Sequence, residues 1–456
     1  MKTVFLTCFH PFISKNILNT DVFKILMARK DLKIILLVPE HTKKFFEKNY
    51  GSENVLIEGI DTIKFSISRV NNFFVKTAFF FIYSHWIKRT RWDYVRDNRS
   101  IKNCMKYFLF MWLTFFLSAS KTAKKLFRYF DQHYSPNDFF DKQYETYKPD
   151  LVFTPDVYTD FDQAVIKEAK NRGIFVIGMI RSWDNNVSKG LMRFMPDKLI
   201  VNNEVIKKEA MELHNYPEKN ILVAGLPQFD DYLKAPFHSR EDFFKSVGGD
   251  PKKRTILYAP GGPEDFGNTN LVICRFLKEA KTKGILPPDI QILISNHPHR
   301  PNDFQEFAKD KDFAIISIGT NIRGSRKNTE IPPEDNLKLA DMLYYSDVLI
   351  WMASSIGLDM LVFDKPEIVI NFDGLKNRPY WSSIRRFHDE DHMVPFFKTG
   401  GIKIAKNLND MTSALKAYLE DPKLDAEGRE RARVQQLWRL DGRAGERIAN
   451  FILSFV

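Results

Sequence analysis

Residues 346–359 read Ser346-Asp347-Val348-Leu349-Ile350-Trp351-Met352-Ala353-Ser354-Ser355-Ile356-Gly357-Leu358-Asp359, and Asp364-Lys365-Pro366-Glu367-Ile368-Val369-Ile370 follow shortly after. The uninterrupted apolar run 348–351 has the length and content of a strand buried on both faces of a parallel sheet. Ser354 and Ser355 stand where such a strand hands over to a helix, so their hydroxyls and the free amide protons would converge on a phosphate at the positive helix end. Asp359 falls one turn further along and would reach ribose hydroxyls. The plainer alternative is an ordinary serine N-cap with an acidic first turn.

The same rhythm extends outward from this stretch. Residues 255–259, 291–295, 313–318 and 368–371 are strand-length apolar runs, with helical candidates between most of them. An earlier set consists of 3–7, 33–38, 150–154, 174–180, 198–201 and 220–224, with helical stretches at 22–28 and 162–170. Between the sets, residues 234–253 contain Pro236, His238, Gly248, Gly249, Asp250 and Pro251, the breaker content of a domain connection. Two alternating sets predict an α/β chain with two Rossmann-like, doubly wound domains facing each other across a cleft, with ligands at the carboxyl ends of strands. The expected bounds are 1–235 for an acceptor domain, 250–425 for a nucleotide-binding domain and 426–456 for a helical segment whose last helix packs back on the first domain.

Composition narrows the class. With 456 residues, 44% hydrophobic and 27% charged, the chain is too long for one core and too apolar for disorder. Cys8, Cys104 and Cys274 are far apart and form no CxxC pair, so neither a disulfide framework nor a thiolate zinc site is expected. Asn16, Asn19 and Asp21 interrupt any signal-peptide pattern, and a cytoplasmic location follows as the expectation. A net charge of +11 favours anionic partners, yet no nucleic-acid-binding signature is present.

Residues 72–140 break the α/β rhythm and read as a helical insertion. Phe73, Phe74, Phe79, Phe80, Phe81 and Trp86 precede Lys88, Arg89 and Arg91, and a second apolar run ends in Lys121, Lys124, Lys125 and Arg128. Rings flanked by cations suit an anionic membrane surface, with the chain attached peripherally to the inner face of the plasma membrane. The alternative packs these helices inside the first domain. Residues 107–119 are too short to span a bilayer and are expected to form a buried or interfacial helix.

Four further segments end predicted strands. His10, after the first, would take a proton from an acceptor hydroxyl, unless it is simply a backbone-bound loop histidine. Arg181-Ser182-Trp183-Asp184-Asn185-Asn186-Val187-Ser188-Lys189-Gly190 offers a stacking ring in Trp183, a carboxylate in Asp184 and a cation in Lys189, and the alternative is a capping polar turn. Gly261 and Gly262 permit close backbone approach to a ligand, although GxGxxG and GxxxxGK[ST] are absent. His297, His299 and Arg300 share a loop that would neutralise a diphosphate leaving group, and no third ligand at a recognisable spacing supports a metal there.

In serial order, Ile256-Leu257-Tyr258-Ala259-Pro260, His297-Pro298, Ser346-Asp347, Ser354-Ser355, Asp359 and Lys365-Pro366 resemble the nucleotide-binding half of GT-B-fold transferases. The likeness is to the CDP-glycerol glycerophosphotransferase-like and surface-polysaccharide glycosyltransferase group. Asp441-Gly442-Arg443-Ala444-Gly445-Glu446-Arg447-Ile448 resembles the final helix of that group and of UDP-N-acetylglucosamine 2-epimerases. The resemblance implies a metal-independent enzyme without cofactor, moving a sugar or polyol phosphate from a nucleotide-activated sugar or CDP-polyol donor to a cell-surface glycan or lipid-linked acceptor. It casts His297 as catalytic or diphosphate-contacting and Ser354, Ser355 and Asp359 as phosphate and ribose ligands. Trp351-Met352-Ala353-Ser354-Ser355 departs from the acidic-Tyr-Ser-Ser pattern common in glycerophosphotransferases, which favours a sugar nucleotide. A non-hydrolysing UDP-sugar 2-epimerase is the rival enzyme, and a basic peripheral membrane-binding protein is the rival outside enzymes.

Overall fold

The computed structural model of the chain describes residues 1–98, 100–262, 268–296, 302–321, 329–352, 354–375 and 378–456. Two units emerge, Met1–Pro227 with Arg443–Val456, and Gln228–Gly442. The first is built on seven parallel strands, β1 (Lys2–Thr7), β2 (Leu32–Pro39), β3 (Val55–Ile60), β4 (Leu151–Thr154), β5 (Phe175–Met179), β6 (Lys198–Val201) and β7 (Ile221–Val223). Their spatial order is β3-β2-β1-β4-β5-β6-β7. Central strands such as β4 are buried at every position, which is why they read as unbroken apolar runs.

The second unit repeats the plan with β8 (Arg254–Ala259), β9 (Ile290–Asn296), β10 (Phe313–Ser317), β13 (Val348–Trp351), β14 (Glu367–Ile370) and β15 (Ile402–Ala405), ordered β10-β9-β8-β13-β14-β15. A short antiparallel pair, β11 (Thr320–Asn321) with β12 (Thr329–Glu330), stands apart. Each six- or seven-stranded sheet reverses its direction of growth once, between β1 and β4 and between β8 and β13. These are the topological switch points, outside whose carboxyl ends ligands bind in doubly wound sheets.

The observed bounds differ from the expected ones. The segment expected to be a connection carries a helix, Arg240–Val247, and is bolted to the second unit. The buried Asp341 carboxylate accepts from the backbone N–H of Phe237 at 2.6 Å and of His238 at 3.1 Å, while the Arg240 guanidinium lies over Phe244. The Ala426–Gln436 helix also belongs to the second unit, anchored by Arg429, whose Nε donates to Asp364 at 2.8 Å. Only residues 443–456 return to the first unit, where Ile448 and Ile452 enter the core of β1, β2 and β4. Gly445 allows that return, since a Cβ there would stand 3.1 Å from Val22 N.

Among its described residues the insertion forms four α-helices, Arg69–Ala78, His85–Asp97, Ile101–Ala119 and Lys121–Tyr134, with a 3-10 turn at Phe79–Phe81. Ser68, Ser84, Ser100 and Ser120 cap them, each hydroxyl accepting from a backbone N–H in the first turn. Phe74, Phe81, Phe110 and Phe127 make its core. The inside-packing alternative fails for the Ile101–Ala119 helix, where only Phe110 and Thr114 are buried and Phe108, Trp112, Phe115 and Phe116 are all more than half exposed. Among the described residues no helix is long and apolar enough to cross a membrane.

Candidate functional site

In the second unit the switch point gathers two of the predicted segments. β8 and β13 are paired, with Ala259 opposite Trp351, so the loops beginning at Gly261-Gly262 and at Ser354-Ser355 leave adjacent strand ends. The first loop is rigidly framed. Asn270 Nδ2 and Asn302 Nδ2 each donate to the Gly261 carbonyl at 3.0 Å, and Tyr258 OH donates to Asn270 at 2.9 Å. Both glycines are buried.

Ser355 is exposed and Ser354 half-buried at the start of the Ile356–Leu361 helix. Ser354 Oγ accepts from Ile356 N at 3.2 Å, whereas Ser355, the residue at the helix N-cap, makes no side-chain cap bond. Asp359 is buried at 6% exposure and faces Tyr232, whose hydroxyl is raised well above its ordinary pKa by burial first and by the Asp359 carboxylate second. Gly357 lets this helix sit directly on Trp351, since a Cβ there would be 2.6 Å from the ring and 2.9 Å from Glu367. Full burial pushes Glu367 well above the usual carboxyl range, against the pull of Arg429. His297, His299 and Arg300 lie outside the described residues, as does Ala353.

In the first unit the switch point collects residues that are remote in sequence. Thr7 ends β1, Asp156 follows β4 and Arg181 follows β5. Arg181 Nε donates to Asp156 at 2.7 Å in an almost water-free pair. Beside them, the fully buried Asp162 engages the hydroxyls of Thr7 and Thr159. Burial first, and the Asp156 charge second, push Asp162 up to about 8, against the pull of both threonines and Arg181. It carries a proton at neutral pH. Thr159 also caps the helix that carries Asp162, its Oγ accepting from Asp162 N at 3.1 Å. The 181–190 segment reading contained Arg181, but no segment reading joined it to Thr7, Asp156 and Asp162, because the sheet order brings these four residues together.

His10 lies on the loop after β1, where Phe12 N donates to its Nδ1 at 3.2 Å, so the neutral ring carries its proton on Nε2. Trp183 is 9% exposed, which leaves little of its face for stacking. Asp184 accepts from Ser182 Oγ at 2.5 Å and Ser188 Oγ at 3.3 Å, tying the ends of the short Asn185–Ser188 helix, and Lys189 beyond it is exposed. The loop is braced by the insertion: Ser84 Oγ donates to Val187 O at 2.7 Å, Leu191 N to Ala78 O at 3.0 Å and Arg128 Nε to Met192 O at 2.8 Å. Arg193 closes a buried pair with Asp131 at 2.6 Å.

A family model, CDP-glycerol:poly(glycerophosphate) glycerophosphotransferase, matches residues 183–454, more than half of the chain. The chain belongs to this family. The glycerophosphotransferase match begins at Trp183, so it takes in the Asp184 loop and the whole second unit and leaves the aromatic insertion outside. No curated protein sequence matches the chain. Solved structures similar over the full length include the UDP-GlcNAc 2-epimerase of Neisseria meningitidis bound to UDP-GlcNAc, at 12% identity and TM-score 0.56 with 100% of each chain covered. The UDP-GlcNAc 2-epimerase of Methanocaldococcus jannaschii gives 15% and 0.54, again covering 100% of each chain. The wall teichoic acid polymerase TagF, in its structure with CDPG, gives 12% and 0.51 over 99% of this chain and 88% of that one. At such identities the likeness establishes the fold, two Rossmann-like units of the GT-B type, and family membership makes this glycerophosphotransferase relative a transferase of nucleotide-activated donors.

Proposed function

We propose that the chain transfers a polyol phosphate from a CDP-polyol to a hydroxyl of a cell-surface glycan or lipid-linked acceptor. The family match across 183–454 carries this reading. The acceptor oxygen attacks the phosphorus bearing the polyol, the bond to the bridging oxygen breaks, CMP leaves, and the acceptor proton passes to a base. Asp184 is the base proposed on the first unit, and His10 would serve as one only by releasing Phe12 N from its Nδ1. Gly261, Gly262, Ser354 and Ser355 are proposed to bind the diphosphate through backbone and hydroxyl groups at adjoining strand ends, with His297, His299 and Arg300 neutralising the departing nucleotide. Lys189 adds an exposed cation, and Trp183 and Asp359 support the loops that carry these groups.

A second reading, transfer of a sugar from a sugar nucleotide, is favoured by Trp351-Met352 standing where an acidic-Tyr pair is common. Radiolabelled CDP-glycerol, CDP-ribitol and UDP-N-acetylglucosamine, offered with a lipid-linked glycan acceptor, separate the two. Incorporation from a CDP-polyol, unaffected by a chelator, is expected. Label from the sugar donor alone moves the assignment to the second reading, and acceptor-independent release of isomerised sugar replaces both with the epimerase. The exposed rings of the Ile101–Ala119 helix, with Lys102, Lys106, Lys121 and Lys125 around them, support work at an anionic membrane surface.

A further inference from the structure

The insertion contains a cavity of about 300 Å³, lined chiefly by Phe80, Val95, Leu109, Phe110 and Leu113, with Arg91 among the walls. Its size is at the lower end of small-ligand pockets. Arg91 is half-buried, and its guanidinium lies 4.4 Å from the centroid of Phe110 and 5.8 Å from that of Phe79. The carboxylates on its own helix are committed elsewhere. Asp93 pairs with Arg96 at 3.3 Å and with Arg89 at 3.9 Å, and Asp97 pairs with Arg96 at 2.8 Å. Across the cavity the Ile101–Ala119 helix supplies Lys106 and has no acidic residue, and the next helix has one, Asp131, already buried on Arg193.

A cation held among rings, half withdrawn from water and given no carboxylate among the described residues, is matched by an anion brought from outside. Desolvation lowers its pKa, which a bound anion would reverse. Phe80, Val95, Leu109, Phe110 and Leu113 form the apolar part of the lining, beside Tyr94, Asn103 and Tyr107, and Leu109 also stands in the exposed row with Phe108 and Trp112. We infer that this cavity binds a phosphate-bearing lipid, its phosphate on Arg91 and Lys106 and its acyl chain along Phe80, Leu109, Phe110 and Leu113. A lipid satisfies both halves of the lining, and the exposed row places the mouth where a bilayer would lie. The inference does not depend on which group the chain transfers.

The test is calorimetric titration of the full chain with dihexanoylphosphatidylglycerol below its micelle concentration, with dihexanoylphosphatidylcholine and inorganic phosphate as separate arms. Saturable one-site binding of the phosphatidylglycerol is expected, weakened about tenfold or more by Arg91→Gln and less by Arg91→Lys. Leu113→Trp, which fills the cavity without touching the charge, should abolish it while melting behaviour stays that of the parent. Equal, Arg91-dependent affinity for inorganic phosphate would replace the lipid with a free anion. Lipid binding indifferent to both Arg91→Gln and Leu113→Trp, or no binding at all, overturns the assignment. Donor turnover measured on the same variants without vesicles reports separately on the transferase reading.

Discussion

Asp162 shows how a single buried side chain couples proton binding to stability. Its folded pKa, about 8, lies above the ordinary carboxyl value of 3.8, so the folded state holds a proton that the unfolded state has released. Stability from this group is therefore present at low pH and is lost as pH rises between those values, with a slope of at most about 1.4 kcal/mol per pH unit. His214 acts in the opposite sense. Burial lowers its pKa from 6.5 to about 3, so its contribution is present above 6.5 and is lost as pH falls toward 3. Comparing Asp162→Asn with the parent isolates the first effect: denaturant unfolding from pH 5 to 8 should fall more steeply for the parent, and parallel curves would refute the assignment. Arg193 and Asp131 offer a second test. Arg193→Ala leaves a carboxylate buried without its cation and should cost about 3–5 kcal/mol, while Arg193→Met combined with Asp131→Leu should cost clearly less, read from the same unfolding curves.

At the level of elements, legibility follows the continuity of apolar residues. Strands such as β4 and β13, enclosed on both faces, stood out as apolar runs, as did the edge strands β7 and β10, whereas the other two edge strands, β3 and β15, did not. Glu58 and Gly59 interrupt the first and Lys403 the second, because an edge strand with a solvated face needs no continuous apolar content. The Gly261-Gly262 and Ser354-Ser355 segments were readable because each directly follows a buried strand. The Asp156, Asp162 and Arg181 trio was not, since the crossing from β1 to β4 is a property of the sheet and not of any window of residues. The Ile101–Ala119 helix was recognised by its apolar content, but which face it exposes depended on the helices around it. Phe108→Ser with Phe116→Ser should leave folding within about 0.5 kcal/mol of the parent and sharply reduce flotation with vesicles of phosphatidylcholine and phosphatidylglycerol. Undiminished flotation would remove this helix from any membrane contact.

On the scale of the whole molecule, the chain leaves the first unit after Pro227 and re-enters it at Arg443. The returning Ala444–Leu453 helix lies against Asp21–Met27, with Arg447 Nε donating to Ala224 O at 3.0 Å. Gly445→Val forces side-chain atoms into a backbone contact and should destabilise the first unit by about 1–3 kcal/mol. Proteolysis should then open residues 443–456 before the second unit is cut, and simultaneous loss of both would contradict the division. The return also dictates an order of manufacture. A ribosome must extrude all of the second unit before Ile448 and Ile452 exist to seal the first, so the earlier-made lobe waits, unsealed, until residues 443–456 follow.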